Sequence, residues 1–363
     1  MKRRQGGARA AVGIVAGIAI ALTGCAGGEG EGGSDGSGGS LVIASWGGAF
    51  SAATKEELAD PFGEAEGVSV QIADASSQHV AQVESQTAAG NVTWDVIDSL
   101  GDANTSYLAG EGLLEPLPAD LKKRLEAASI PGGVTDYAIL QSTIATIIVC
   151  NPDEVEVCPT TPAELFDTEK FPGPRMMYND PYYLIMSALI ADGRTADDLF
   201  PISEADVDRA FEMLEAIAPS VRVWWTSADQ SQQAMQNGEA VMGLIWNGPA
   251  SRLAEASPQM EFSWEGGTLS TAWTSVVKGA PNKEAAFKYL EWYATHPEAQ
   301  AAWASRTGYG VSNPEAIDFL TEQEAAFSVM NPANAEGLAL GDGSWWVENR
   351  ETLTERWQSI VGG

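Results

Sequence analysis

Three tryptophans lie at or near the ends of predicted β-strands, beside small or polar residues. Trp46 ends the first strand, Trp246 ends another just before Asn247-Gly248, and Trp273 lies in a later strand. Ligands of open α/β sheets bind at the carboxyl ends of the strands. An indole ring there offers a stacking surface and about 0.5 to 2 kcal/mol of attraction for a cation. Core packing accounts for any one of these rings, whereas the three together favour the walls of a ligand cleft.

The sequence lacks the common motifs for nucleophilic catalysis, phosphate binding and zinc-dependent hydrolysis. The sequence has no Gly-x-Ser-x-Gly elbow between a predicted strand and helix, no Gly-x-x-x-x-Gly-Lys loop and no His-Glu-x-x-His motif. Its two histidines, His79 and His296, lie in helical contexts that predict surface or capping roles. We therefore predict a protein that is not an enzyme and that uses no cofactor and no metal.

The first 24 residues have the anatomy of an export signal. Basic residues precede a short apolar run over residues 10–22, which ends in the lipobox Leu22-Thr23-Gly24-Cys25. That run is too short for a transmembrane helix. The pattern predicts cleavage before Cys25 and acylation of its thiol, which holds the protein on the outer face of the cell membrane or in the periplasm. Residues 25–40, with eight glycines, predict a flexible tether.

Charge and cysteine content narrow the choice of partners. Acidic residues outnumber basic ones 50 to 20, and four of the basic residues belong to the predicted signal, so the cleaved chain has 16 against 50 and a formal charge of −34. This excess excludes nucleic acid and an anionic bilayer surface as partners. Two explanations of this charge stay open: it keeps the protein soluble, or it attracts cationic solutes.

The two cysteines after Cys25 are Cys150 and Cys158, eight residues apart. In an exported chain such a pair favours a disulfide.

Beyond the tether, short β-rich runs alternate with helical stretches. This alternation is typical of an α/β fold with a mostly parallel sheet, repeated in a second lobe. Ile139–Val149 and Ala272–Val277 are predicted to cross between the lobes. The other predicted strands are Leu41–Ser45, Val68–Ile72, Trp94–Ile97, Arg175–Tyr178, Val221–Trp225 and Ala240–Trp246, and the predicted helices include Ala52–Glu66, His79–Ala89, Glu204–Ile217, Asp229–Gln236 and Trp345–Ile360.

Three segments of the chain resemble the extracellular solute-binding proteins of ABC importers, in the branch that contains spermidine/putrescine-binding proteins. They are Ala44–Phe50, Ala240–Gly248 and Arg306–Pro314, and the resemblance extends from about Ser40 to the C-terminus. It implies the type II periplasmic-binding-protein fold, in which two α/β lobes are joined by crossover strands and the ligand lies in the cleft between them. Residues 41–147 with about 272–315 are then lobe 1, and residues 148–271 with about 316–363 are lobe 2.

The resemblance also implies a site in which aromatic rings grip an amine and carboxylates neutralise its charge. The matching aromatic positions are Trp46, Trp246, Trp273 and Tyr309, and Asp180 matches one carboxylate. The chain departs from the pattern at Tyr183 and Ser275, which occupy positions of two further carboxylates. Asp98 and Asp102, in a changed turn after the third strand, are alternative sources of negative charge; a solvated turn and a helix N-cap explain them equally well.

The implied function is that of a lipid-anchored, monomeric receptor of an ABC importer. It captures a small cationic solute, such as putrescine or spermidine, by hinge closure and delivers it to the permease and ATPase subunits. Alternatives in the same role are an amino-acid derivative, an organic acid, or a ferric ion held by Tyr182-Tyr183. Outside the class, a cell-wall hydrolase with two catalytic carboxylates is the alternative.

Overall fold

The computed structural model describes residues 40–75 and 78–362. The predicted export signal, the predicted acylation site Cys25 and all but the last residue of the predicted tether lie outside these residues. Among the described residues, none of the helices has the length and apolarity that crossing a membrane requires.

The described chain alternates strands and helices. The strands are β1 Ser40–Ser45, β2 Ser69–Asp74, β3 Val96–Gly101, β4 Ala138–Cys150, β5 Arg175–Tyr178, β6 Val221–Trp225, β7 Met242–Trp246, β8 Glu261–Val276 and β9 Ala339–Leu340. The helices are α1 Gly48–Ala53, α2 Asp60–Glu66, α3 His79–Ala88, α4 Asp102–Gly110, α5 Ala119–Ala128, α6 Pro162–Phe166, α7 Pro181–Ala191, α8 Glu204–Ile217, α9 Ala228–Gln236, α10 Asn247–Ala256, α11 Lys283–Thr295, α12 Pro297–Thr307, α13 Glu322–Ala326, α14 Pro332–Ala335 and α15 Gly343–Val361. A π-helical turn, Thr54–Ala59, joins α1 to α2, and two 3₁₀ turns span Ala218–Ser220 and Pro314–Phe319.

One sheet runs through the described residues in the order β2-β1-β3-β8-β4-β7-β5-β6, with β9 added beside β8. At one end β1 is parallel to β2 and β3, and at the other β5 is parallel to β6 and β7. The long strands β4 and β8 pair antiparallel between these groups, from Ala138↔Ser275 to Cys150↔Glu261. This confirms the predicted α/β class, with β4 and β8 as the crossover strands.

The β4–β8 pair carries a different group of strands at each of its ends. Leu100 of β3 is opposite Trp273 near the end of β8, whereas Ile148 near the end of β4 is opposite Leu244 of β7. We use lobe 1 for β1–β3 and the helices packed on them, and lobe 2 for β5–β7 and theirs. The exact residue boundaries of the lobes stay a prediction.

Each lobe has its own buried apolar core. Phe62, Tyr289 and Trp303 pack in lobe 1 beneath β1, and Phe211 and Ile185 pack in lobe 2 beneath β5. Local signals place the elements that bring these side chains inward. The capping box before α8 is one: the Ser203 hydroxyl accepts from the Asp206 N–H at 3.3 Å, and the Asp206 carboxylate accepts from the Ser203 N–H at 2.8 Å.

At the end of β4 the chain makes a short excursion that a disulfide closes. The structure joins Cys150 to Cys158, with their Cα atoms 5.7 Å apart. Cys150 is buried at the end of the strand, and Cys158 lies eight residues further on. The predicted pair is thus brought together at the edge of lobe 2.

Candidate functional site

A cavity of about 130 Å³ lies where four parts of the fold meet. Two of its walls are the junctions β3–α4 and β5–α7; the others are the middle of β8 and the segment from β9 into α15. This volume is close to the roughly 150 Å³ of an engineered cavity that accommodates one benzene molecule. The lining residues are Gly101, Asp102, Ala103, Asn104, Asp180, Tyr182, Tyr183, Leu269, Ser270, Thr271, Leu340, Gly341, Gly343 and Trp346.

Two aspartates supply all the side-chain charge on this lining. Asp180 is the N-cap of α7, and its Oδ1 accepts a hydrogen bond from the Tyr182 N–H at 2.9 Å. Burial raises the pKa of Asp180 to about 6, so the carboxylate is ionised at neutral pH. Burial also raises the pKa of Asp102, and the hydrogen bond from the Gly343 N–H opposes this shift because it stabilises the charged form. Since the lining contains no Lys, Arg or His, the cavity attracts a cation.

Aromatic rings form the lobe 2 side of the cavity. The rings of Tyr182 and Tyr183 lie with centroids 4.9 Å apart, and the Trp346 ring lies 5.2 Å from that of Tyr182. Burial raises the pKa of both tyrosines. The rings therefore stay protonated at neutral pH, which disfavours the phenolate pair that a ferric ion would need. The described residues also contain no group of three His, Cys, Asp or Glu side chains placed to hold a metal.

The lobe 1 residues Trp46 and Asp98 are not on the cavity lining. Trp46 donates its indole N–H to the carbonyl oxygens of Asp98 and Ser99, at 3.2 and 3.0 Å. Asp98 is fully buried, and its Oδ2 accepts from the hydroxyls of Ser45 at 2.6 Å and Thr54 at 2.9 Å. Burial raises the pKa of Asp98 to about 6. The solvated turn offered as one explanation of Asp98 is thus wrong. The buried Asp98 carboxylate joins β3 to Ser45 of β1 and to Thr54 of the π-helical turn.

His79 is also placed differently from expectation. A surface or capping role was predicted, but the side chain is 1% exposed and its ring lies 4.7 Å from the ring of Trp46. Loss of hydration lowers the pKa of His79 to about 4, so it is neutral at physiological pH. The first turn of α3 faces inward here, and packing against Trp46 and Trp94 explains the burial.

The four remaining site candidates lie on or near β7 and β8 and outside the lining. Trp246 packs against Tyr178 and Trp225, each with ring centroids 4.9 Å away. Tyr309 is 8% exposed, and Ser275 is fully buried in β8. Trp273 lies directly behind the cavity wall, where its Nε1 donates to Thr271 Oγ1 at 3.2 Å.

Of the nine predicted ligand-binding residues, the structure therefore brings Asp102, Asp180 and Tyr183 to one cavity. Sequence reasoning missed the polar pair Ser270-Thr271 and the two residues Leu340 and Trp346. Ser270-Thr271 directly precede the predicted strand that contains Trp273, so alternation along a longer strand was an available signal. No local signal marks Leu340, which is 54% exposed and reaches the cavity from β9.

Comparison with known proteins agrees with this architecture. The model of the bacterial extracellular solute-binding protein family matches residues 57–335. The γ-aminobutyric acid-binding protein of Pseudomonas aeruginosa is 29% identical over 327 residues, which are 88% of this chain and 90% of that one. A solved structure of a γ-aminobutyric acid receptor is 33% identical, with a TM-score of 0.81 over 88% of this chain and 97% of its own.

The relation to the polyamine-binding branch is more distant. The spermidine/putrescine-binding periplasmic protein of Escherichia coli is 26% identical over 210 residues, which are 57% of this chain and 58% of that protein. The resemblance seen in the sequence thus identified the family, whereas the branch named there matches less of the chain. The match of the family model over most of the described residues, together with the two-lobed α/β architecture, places the protein: this chain belongs to the bacterial extracellular solute-binding proteins.

Proposed function

We propose that this protein is the solute receptor of an ABC importer and that its solute carries a protonated amine. The observation that supports this most is the cavity itself, which has two carboxylates and no basic side chain on its lining. A buried carboxylate without a cationic partner costs several kcal/mol, so a site with two such carboxylates selects for a solute with positive charge. Asp102 comes from lobe 1 and Asp180 from lobe 2, so one amine attracts both lobes.

A short ω-amino acid fits this cavity better than a long polyamine. A volume of about 130 Å³ suits one small molecule. The carboxylate of a zwitterion has a partner in the first turn of α4, where Ala103 and Asn104 line the cavity and the N-cap Gly101 provides no side-chain cap. Free N–H groups at a helix N-terminus bind anions. The γ-aminobutyrate ligand named for two relatives supports the same class. A short diamine such as putrescine is the second candidate.

Capture by closure of the two lobes follows from the position of the cavity. A solute that contacts both α4 and α7 binds the closed arrangement more tightly than an open one and shifts the equilibrium toward closure. The closed receptor then docks on the permease. We further propose that the acylated Cys25 and the Gly-rich tether keep the receptor near that permease. Membrane fractionation checks this: Cys25→Ser should release the protein to the soluble fraction and leave solute binding unchanged.

Titration calorimetry on the mature protein tests the proposed ligand class. The panel is γ-aminobutyrate, putrescine and spermidine, with butyrate and 1,4-butanediol as matched compounds that lack the amine. We expect binding in the order γ-aminobutyrate, putrescine, spermidine, and at least about 100-fold weaker binding of the two controls, since each leaves the aspartates without a cation. Binding of butyrate as tight as that of γ-aminobutyrate, or no amine binding below millimolar concentration, would refute the proposal.

A further inference from the structure

One hydrogen bond joins the two lobes across the cavity. The backbone N–H of Gly343, the first residue of α15, donates to Oδ2 of Asp102 at 3.1 Å, although the two residues are 241 positions apart. Asp102 begins α4, whose Leu108 is buried in a lobe 1 core. Helix α15 instead buries Leu353 and Trp357 in the lobe 2 core. Both ends of the hydrogen bond line the cavity.

The first turn of α15 divides its N–H groups between two aspartates. Asp342, the N-cap, accepts from the N–H groups of Ser344 at 2.9 Å and Trp345 at 3.1 Å. The N–H of Gly343 is directed to Asp102 instead. Because the first N–H groups of a helix have no partners within it, Asp102 completes the capping of a helix that belongs to the other lobe.

Only glycine allows this close approach. A Cβ at Gly343 would overlap Asp102 Oδ2 and lie 2.9 Å from the backbone nitrogen of Ala103. Gly343 is not among the residues with positive φ, so its own backbone conformation suits any residue. An alanine there conflicts with α4 of lobe 1 and not with the fold of α15.

We propose that the Gly343–Asp102 hydrogen bond is a latch that couples solute capture to lobe closure, with Gly343 as the residue that positions Asp102. The latch rests on the proposed function, because its carboxylate is the one offered to the solute amine. The Gly343 N–H fixes Asp102 toward the cavity, and the same hydrogen bond forms only when α4 and α15 approach. Solute and latch therefore favour the same closed arrangement.

Gly343→Ala is the decisive variant, measured by calorimetry with γ-aminobutyrate and putrescine. We expect the Kd of the bound amine to rise roughly tenfold to a hundredfold, the range for losing one hydrogen bond to a charged group. Gly110→Ala is the matched control at the other end of α4, where an added Cβ meets no atom within 4 Å. Its Kd should stay within about twofold of the wild-type value. A wild-type Kd in Gly343→Ala overturns the latch.

Hydrogen exchange of the segment 342–347 separates failure of the latch from failure of the proposed function. Asp102→Asn keeps an acceptor oxygen and should keep the Gly343 amide protected, whereas Asp102→Ala should speed its exchange. Equal protection in wild type and Asp102→Ala, with and without γ-aminobutyrate, overturns the latch. If the wild-type protein binds neither amine, the proposed function is wrong, and the exchange data still decide whether the latch forms.

Discussion

Asp102 and Asp180 occupy similar places in the two lobes but cap different helices. Each follows a strand, starts a helix and faces the same cavity. Asp180 caps its own helix, α7, through the Tyr182 N–H. Asp102 instead accepts from Gly343 at the start of α15, in the other lobe. The lobe 2 wall is thus built locally, while the lobe 1 wall is completed only by a contact between lobes.

The two carboxylates therefore respond differently when the lobes open or close. The Asp180 carboxylate is held by its own backbone whether the lobes are open or closed, so it is ready for a solute in either state. The Asp102 carboxylate loses a hydrogen bond when α15 moves away. A receptor that must close on its solute needs one side of each kind: a fixed side that binds first and a side whose contacts improve on closure.

The largest expected effect is at the locally held wall. Asp180→Ala removes both the charge and the cap, so amine binding should weaken by about 100-fold and the free energy of unfolding should lie about 1 kcal/mol below that of Asp180→Asn, which lacks only the charge. Asparagine is also a good N-cap. Asp180→Asn should therefore weaken binding nearly as much. Because it keeps the cap and removes a buried charge, its free energy of unfolding at pH 7.5 should not fall below the wild-type value. Calorimetry and urea unfolding of both variants check this.

Two outcomes would contradict the assigned roles of Asp180. Unchanged amine binding in Asp180→Asn would mean that the carboxylate does not read charge. Equal stability of Asp180→Ala and Asp180→Asn would mean that the observed hydrogen bond to Tyr182 does not stabilise α7.

Local signals predicted the elements around Asp180 well. The bounds of Arg175–Tyr178, Glu204–Ile217 and Val221–Trp225 agree with the structure residue for residue. The reason is that these elements begin and end at local signals, such as the capping box of Ser203 and the Asn179-Asp180-Pro181 turn. Such signals act within a few residues of the chain and need no information on the rest of the fold.

Tertiary contacts decided the parts that were not predicted. Strand β8 was expected over Ala272–Val277 but spans Glu261–Val276. Gly266 and Gly267 break the sequence pattern of a strand. Both nevertheless lie within β8, where Pro162 and other neighbours leave no room for a side chain. No bounds were predicted for helix α4, although a helix N-cap was one explanation offered for the turn that contains Asp102. In the structure the N-cap is Gly101 and Asp102 is the first residue of the helix. The partner of Asp102, Gly343, is 241 residues away, which no local pattern can show.

The smaller expected effect is a pH dependence that tests whether Asp180 reads charge. The folded protein holds the pKa of Asp180 at about 6, above the usual value for a carboxyl, because the group is buried. As the pH falls from 7.5 to 5, protonation should weaken amine binding by roughly tenfold, about one decade per pH unit below the pKa. Asp180→Asn should lose most of this slope, and what remains reports Asp102. Calorimetry at several pH values measures both.

Stability should change in the opposite direction over the same range. Asp98, like Asp180, has a pKa of about 6 in the folded protein, so between about pH 4 and 6 the folded state binds more protons than the unfolded one. The free energy of unfolding should therefore rise as pH falls through 6 toward 4, by on the order of 1 kcal/mol or more for each group. Asp98→Asn should reduce this slope and leave the pH dependence of binding intact, because Asp98 is buried off the cavity. If Asp98→Asn instead abolished the pH dependence of binding, the charge read by the solute would lie in the lobe 1 interior and not at the cavity wall.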